Sequence, residues 1–186
     1  MDARRFIEFL GTVEKLKCNT RHSWTSSGRH ESVAEHSWRL ALMAMLCTDE
    51  YPNIDSAKLI KMCIVHDFGE AVTGDVPSFY KTEANENAED AAIDSLLGML
   101  PENYAREFGE LFREMEEMQT DEAKLWKALD NMEAVISHNE APLSTWIPLE
   151  HELNLTYGED KAEFSPWTKA LREALREDSI KKLARQ

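Results

Sequence analysis

Apolar residues recur at three- and four-residue spacing along nearly the whole chain, and no stretch of strand length alternates apolar and polar positions with β-branched enrichment. A period near 3.6 lines one face of a helix, whereas a half-buried strand needs a period of two. An all-α fold is therefore expected, with helices at about 2–17, 33–49, 55–69, 83–99, 101–118, 120–139, 145–156 and 166–184. Ser32-Val-Ala-Glu35 has capping-box spacing, in which the serine and glutamate side chains each satisfy an orphan backbone N–H, so a helix starts at Ser32 with His36 in its first turn. Ser165-Pro166 marks a second start, serine as cap and proline at the first helical position. Gly74 to Pro77 breaks the pattern and reads as a loop. No repeat, low-complexity tract or linker divides the 186 residues, so residues 1–186 read as one domain with a core large enough to hold a pocket.

A formal charge of −14 sets a field that repels polyanions. Extended binding to nucleic acid or an anionic membrane is not expected on that ground, while a small phosphate ligand would need local cations or a metal ion. The first residues, MDARRFIEFL, are charged where a secretory leader would be apolar, and the run LALMAMLC is far too short to span a bilayer. A cytoplasmic location is expected. Cys18, Cys47 and Cys63 have no paired or zinc-ribbon spacing and stand among apolar neighbours, so three reduced, buried thiols are expected.

Polar groups fall where this helical pattern calls for apolar ones. In DSAKLIKMCIVHDFGE, Leu59, Met62, Cys63 and His66 share one side and Asp67 extends the adjoining row, with Glu70 one turn beyond His66. His36 stands in line with Leu40, Met43 and Cys47. Asp130 lies among Leu125, Leu129, Met132 and Ile136. A buried carboxylate is costly unless a cation or several hydrogen bonds meet it. Two His and two Asp from three helices would form a mixed nitrogen and oxygen site suited to one Mn, Co, Fe or Zn ion, Mg being less suited. Taken singly, each residue has a plainer reading. A histidine on an apolar face is commonly a hydrogen-bonded core residue, Asp130 can pair with Lys127 three positions earlier, and Glu35 serves as a cap. The set argues for more than its members.

The order His36, His66-Asp67, Asp130 resembles the signature of the HD-domain metal-dependent phosphohydrolases. The segments Glu31-Ser-Val-Ala-Glu-His36-Ser, His66-Asp67-Phe-Gly-Glu70-Ala-Val-Thr-Gly74-Asp75-Val-Pro77, Lys81 and Lys127-Ala-Leu-Asp130 resemble the branch that includes the 5'-deoxynucleotidases. The resemblance runs from about residue 16 to 140 and implies an HD-type helical bundle around a mononuclear metal site, followed by a C-terminal helical extension over about 141–186. It implies His36, His66, Asp67 and Asp130 as ligands of one divalent ion and Glu70 and Asp75 as an acid/base pair. Arg21, fifteen residues before His36, is implied as a substrate contact. The best-known members carry tryptophan directly after that arginine; here His22 follows and Trp24 stands two residues later, so Trp24 is taken as the aromatic substrate contact. Lys81 is read equally as a phosphate contact and as a solvated loop lysine.

The implied activity is hydrolysis of (deoxy)ribonucleoside 5'-monophosphates to nucleoside and phosphate by a homodimer. Two rival readings keep the metal site: hydrolysis of another nucleotide, such as a guanosine polyphosphate, cyclic nucleotide or nucleoside triphosphate, and a non-catalytic metal- or nucleotide-binding sensor. Polyanions call for more clustered cations than this sequence supplies. A pure binder has no need of Glu70 and Asp75 beside the metal.

Overall fold

The computed structural model describes residues 1–185. Its helices run α1 (Ala3–Val13), α2 (Val33–Cys47), α3 (Ser56–Val65), α4 (Glu70–Thr73), α5 (Glu83–Leu97), α6 (Glu102–Glu117), α7 (Asp121–Glu140), α8 (Glu150–Thr156), α9 (Glu159–Ala162) and α10 (Pro166–Leu183). The expected all-α architecture is present, and the two start signals act as read. Ser32 and Glu35 form a capping box, and Ser165 caps α10 with Pro166 in its first turn.

Residue chemistry decides which helices meet. Leu125, Leu129 and Met132 of α7, Leu40 and Ala44 of α2, and Leu59, Met62 and Cys63 of α3 are all fully buried. Burying each of the larger side chains contributes roughly 1.5–3 kcal/mol, so the three helices pack as the centre of the molecule. On its other side α7 packs against α10. There Asn139 hydrogen-bonds Ser179 Oγ and the Leu175 carbonyl. Arg172 of α10, nearly buried, donates to the Tyr157 and Asn154 carbonyls at 2.8 and 2.9 Å, which fixes the C-terminal end of α8. Gly158 follows in the left-handed region at φ 76°, where a side chain would strike Asn131 of α7. No described helix is long and apolar enough to cross a membrane.

Several expectations need correction. Residues 20–32 contain a hairpin of β1 (Thr20–Trp24) and β2 (His30–Ser32), which pair antiparallel with an irregular register. So short a ribbon carries little alternation, and it is held by contact with α7 rather than by propensity. The first helix ends at Val13 and continues as a 3-10 turn over Glu14–Lys17. The third ends at Val65, leaving His66 as its C-cap and Asp67 beyond it. The eighth begins only at Glu150, after a separate 3-10 turn over Leu143–Thr145. Cys18 is exposed at the end of the turn after α1, while Cys47 and Cys63 are buried; all three are free.

Candidate active site

Four elements bring the inward polar groups together. The capping box sets where α2 begins and so turns His36 into the core, where it is fully buried. At the end of α3, His66 Nδ1 bonds the Cys63 carbonyl at 2.9 Å. Asp67 follows, and the chain then turns into α4, whose first residue is Glu70. Asp130 projects from the middle of α7. His36 Nε2 lies 3.2 Å from His66 Nε2, 3.2 Å from Asp130 Oδ1 and 3.9 Å from Asp67 Oδ2. His66 Nε2 lies 3.0 Å from Asp67 Oδ2 and 3.8 Å from Asp130 Oδ1.

The ring nitrogens show whether this cluster suits a cation. His36 Nδ1 is bonded to the Glu133 carboxylate, and His66 Nδ1 to a carbonyl; both partners only accept, so both Nδ1 atoms carry protons. In the neutral rings each Nε2 then presents a lone pair, and the two Nε2 atoms face each other with carboxylate oxygens beside them. Asp67 Oδ2 is buried without a hydrogen-bond partner. Two imidazole nitrogens and two carboxylates thus converge on one point of the core wall. Two ligands about 2.1 Å from one ion at right angles are about 3.0 Å apart, close to the separations here. The residues fit a divalent cation.

With no cation among them, the carboxylates favour a proton on His36, the place a metal ion would take. Burial and Arg21 oppose a charge on His36, yet Glu133 and Asp130 raise its pKa to about 9. Burial works to raise Asp67, but His66, His36 and Arg21 hold it well below its ordinary value. Asp130 is likewise held low against burial, chiefly by Lys127, whose ammonium lies 2.8 Å away. The pairing of Asp130 with Lys127 and its approach to the histidines thus coexist, through different oxygens. Glu31, His36 and Glu133 also approach one another closely. That side already has its positive charge: Arg39 lies 2.6 Å from Glu133, and Arg39 and Arg21 each lie 3.7 Å from Glu31.

A cavity opens beside the histidine and aspartate cluster. Asp67, Glu70, Asp75, Arg21, Lys81 and Lys127 border it at this end. Arg21 lies 3.6 Å from Asp67. Glu70 is buried with Oε2 unpartnered; burial and the charges of Asp67 and Asp75 push its pKa up to about 9. Burial raises Asp75 as well, partly opposed by Arg21. Gly74 precedes it at φ 78°, a left-handed conformation that suits glycine and redirects the chain into the cavity wall. Lys81 borders the cavity but is paired with Glu89 at 2.6 Å. Trp24 does not border it: its ring lies against His30, centroids 4.0 Å apart.

Sequence reasoning passed over several residues. Glu133 is fully buried and holds His36, yet three positions after Asp130 it read as one more acidic residue in an acidic chain. Lys127 was taken only as a partner for Asp130, although it borders the cavity. His22, Phe79, His138, Asn154 and Tyr157 also line the cavity; Phe79 and Tyr157 lie in or beside short elements, where periodicity says little.

Comparison with known proteins adds to this geometry. The family described as HD domain matches residues 13–172. A human protein named 5'-deoxynucleotidase HDDC2 is 33% identical over 142 residues, 74% of this chain and 69% of the relative. A Schizosaccharomyces pombe 5'-deoxynucleotidase is 32% identical over 137 residues, 69% of this chain and 68% of its own length. Among solved structures, a predicted metal-dependent phosphohydrolase of Magnetospirillum magnetotacticum superposes with a TM-score of 0.81 at 28% identity, covering 96% of this chain and 93% of that one.

Proposed function

The chain belongs to the HD-domain family, and from that premise we propose that it is a metal-dependent phosphohydrolase that releases phosphate from deoxyribonucleoside 5'-monophosphates. The observation that carries this reading is the meeting of two imidazole lone pairs and two carboxylates beside a cavity edged by further buried carboxyl groups.

In this reading His36, His66, Asp67 and Asp130 hold one divalent ion, of Mn, Co, Fe or Zn type. Such an ion supplies Lewis-acid charge for the phosphoryl group and makes water easier to deprotonate. Glu70 orients the attacking water and takes its proton; burial, Asp67 and Asp75 raise its pKa, and a cation balancing those charges would leave it ionised to act as the base. Water oxygen bonds to phosphorus as the bond to the 5' oxygen breaks, in line. Asp75, whose pKa is also raised, gives its proton to the departing oxygen. Arg21 holds phosphate oxygens with a planar fork, and Lys81 and Lys127 add point charges that counter the acidic field. The substrate contact assigned to Trp24 is replaced here by the residues that border the cavity.

The reading extends to a single domain, core about 16–140, whose C-terminal extension closes the cavity; Arg172 anchoring α8 supports this. It extends also to a cytoplasmic homodimer, supported by three free cysteines and by Trp38, Met45 and Leu46 standing exposed on α2.

Glu70→Ala tests the reading. Metal-stripped protein resupplied with Mn should release phosphate from deoxyribonucleoside monophosphates, and the variant should bind Mn as before while losing at least about a hundredfold in rate. A wild type that binds Mn and a nucleotide but releases no phosphate would instead be a sensor.

A further inference from the structure

α5 carries an inward carboxylate to which the reading above gives no role. Glu89 shares a face of that helix with Ala92 and Leu96, both buried, so it stands where the packing pattern calls for an apolar side chain. Its Oε1 is buried with no hydrogen-bond partner, while its Oε2 lies 2.6 Å from the ammonium of Lys81. Among the described residues, Lys81 alone meets it. The side chains of the pair are 17% and 28% exposed, so both are partly withdrawn from water.

The backbone fixes where this carboxylate sits. Gly69 lies in the turn between Asp67 and Glu70, and a Cβ there would come within 3.0 Å of the Glu89 carbonyl oxygen and 3.4 Å of the Glu89 Cβ. Glycine lets α5 approach this closely. Glu89 is thereby seated against the turn that bears Asp67 and Glu70, and Lys81 is brought to the same end of the cavity.

Three cations border that end, and each is met by a carboxylate. Arg21 lies 3.6 Å from Asp67 and Lys127 2.8 Å from Asp130, two residues that the reading gives to the metal ion. Glu89 has no such second duty. Stability alone is a poor reason to keep it, because apolar side chains often replace a withdrawn ion pair at no loss. What the pairing does supply is a position. A lysine has a flexible four-carbon stem, and fixing its head on a ligand costs rotamer freedom. Glu89 fixes that head in advance, and an ammonium has three N–H groups, so donors remain for phosphate oxygens.

Resting on the phosphohydrolase reading, we propose that Glu89 is a positioning residue for phosphate binding, which acts by holding the Lys81 ammonium at the cavity edge. Lys81 touches the phosphate; Glu89 does not.

The test is steady-state phosphate release from a deoxyribonucleoside 5'-monophosphate by Mn-loaded full-length protein. Glu89→Ala should raise KM about three- to tenfold and leave kcat within about twofold, since Lys81 meets the phosphate before and during the reaction alike. Alanine is a strong helix former, so α5 keeps its fold. Glu89→Gln, which still offers an oxygen to the ammonium, should recover most of the wild-type KM. Simple charge removal near an anion predicts the opposite, a lower KM in both variants, and that result would overturn the proposal. In a Lys81→Met background, where KM is already raised, Glu89→Ala should have no further effect. The same factor in both backgrounds would make Glu89 a packing residue of α5 and sink the idea. So would an unchanged KM in Lys81→Met, a comparison that needs no change at Glu89. A shifted pH profile of kcat at constant KM in Glu89→Ala would assign Glu89 to Glu70 instead, against the proposal. Each of these results leaves the phosphohydrolase reading standing, whereas a wild type that releases no phosphate from any nucleoside monophosphate removes both.

Discussion

Replacing Glu133 by glutamine asks whether a buried carboxylate acts on the metal cluster through His36. Glu133 is fully buried and accepts from His36 Nδ1, from Arg39 Nε at 2.6 Å and from Ser137 Oγ at 3.3 Å. Its carboxyl is held low, to about 2: burial opposes this, but His36, Arg21 and Arg39 outweigh burial. Glutamine keeps the shape and offers one acceptor oxygen instead of two, so its amide nitrogen must face either His36 or Arg39, both donors. Arg39 retains Glu140 at 2.5 Å and Glu31 at 3.7 Å, whereas His36 Nδ1 has no second partner. If the nitrogen faces His36 the imidazole is free to turn or change tautomer, and if it faces Arg39 the imidazole leans on a neutral amide in place of a carboxylate and is the weaker ligand. Loss of such an outer partner weakens metal binding about 10–100-fold, or about 1.4–2.7 kcal/mol. Unfolding of the metal-free protein should also become easier, by no more than the roughly 3–5 kcal/mol seen when a buried ion pair loses a member. Calorimetric titration of Mn into metal-free protein reads the first effect and urea unfolding the second. Wild-type Mn affinity in a folded but destabilised variant would refute the argument and reduce Glu133 to a structural partner of Arg39.

Two more substitutions probe the frame around the site. Gly158→Ala combines φ 76° with a new Cβ only 2.7 Å from Asn131 Cβ, so a loss of about 2–4 kcal/mol is expected as a lower urea midpoint with unchanged slope; an unshifted midpoint would deny the close approach of this turn to α7. For Glu122, burial is opposed by the Asp55 backbone N–H and by Lys58, which together hold its carboxyl below the ordinary 4.5. A depressed folded value contributes stability above about pH 4.5 that is lost as pH falls through the folded pKa, so Glu122→Gln should lower the urea midpoint near pH 7 and converge with the wild type in strong acid. A constant difference at all pH values would contradict it.

How much of this was legible in the sequence depends on the range of the forces involved. Ser32, Glu35 and Ser165 act within one turn of their own helices, and local patterns report them faithfully. His36, His66 and Asp130 were visible because each interrupts an apolar row. Asp67 lies past the end of α3, so the extended wheel located it by a geometry the chain does not keep. Glu133 shows what periodicity misses: its burial is offset by Arg39, which is 94 positions away in the chain. The hairpin and the part of the cavity lined from α8 were missed for related reasons. β1 is stabilised by α7, and α8 has seven residues, no side-chain cap and an anchor in α10. Trp24 shows the converse, because the resemblance called for an aromatic residue just after Arg21, and the strand sends the Trp24 ring toward His30 instead.

One straight rod, α7, carries Lys127, Asp130, Glu133, Ala134 and His138. These positions span three turns, so the aspartate of the His and Asp cluster, the carboxylate that holds His36 and one wall of the cavity share a single rigid phase. Inserting one residue anywhere between them would swing everything downstream by about 100° and dismantle all three together. Diversification of what such a scaffold accepts is thereby channelled to the parts that can shift alone, the loop bearing Phe79 and the short helix bearing Asn154. New preferences can arise there while the hydrolytic apparatus stays as it is.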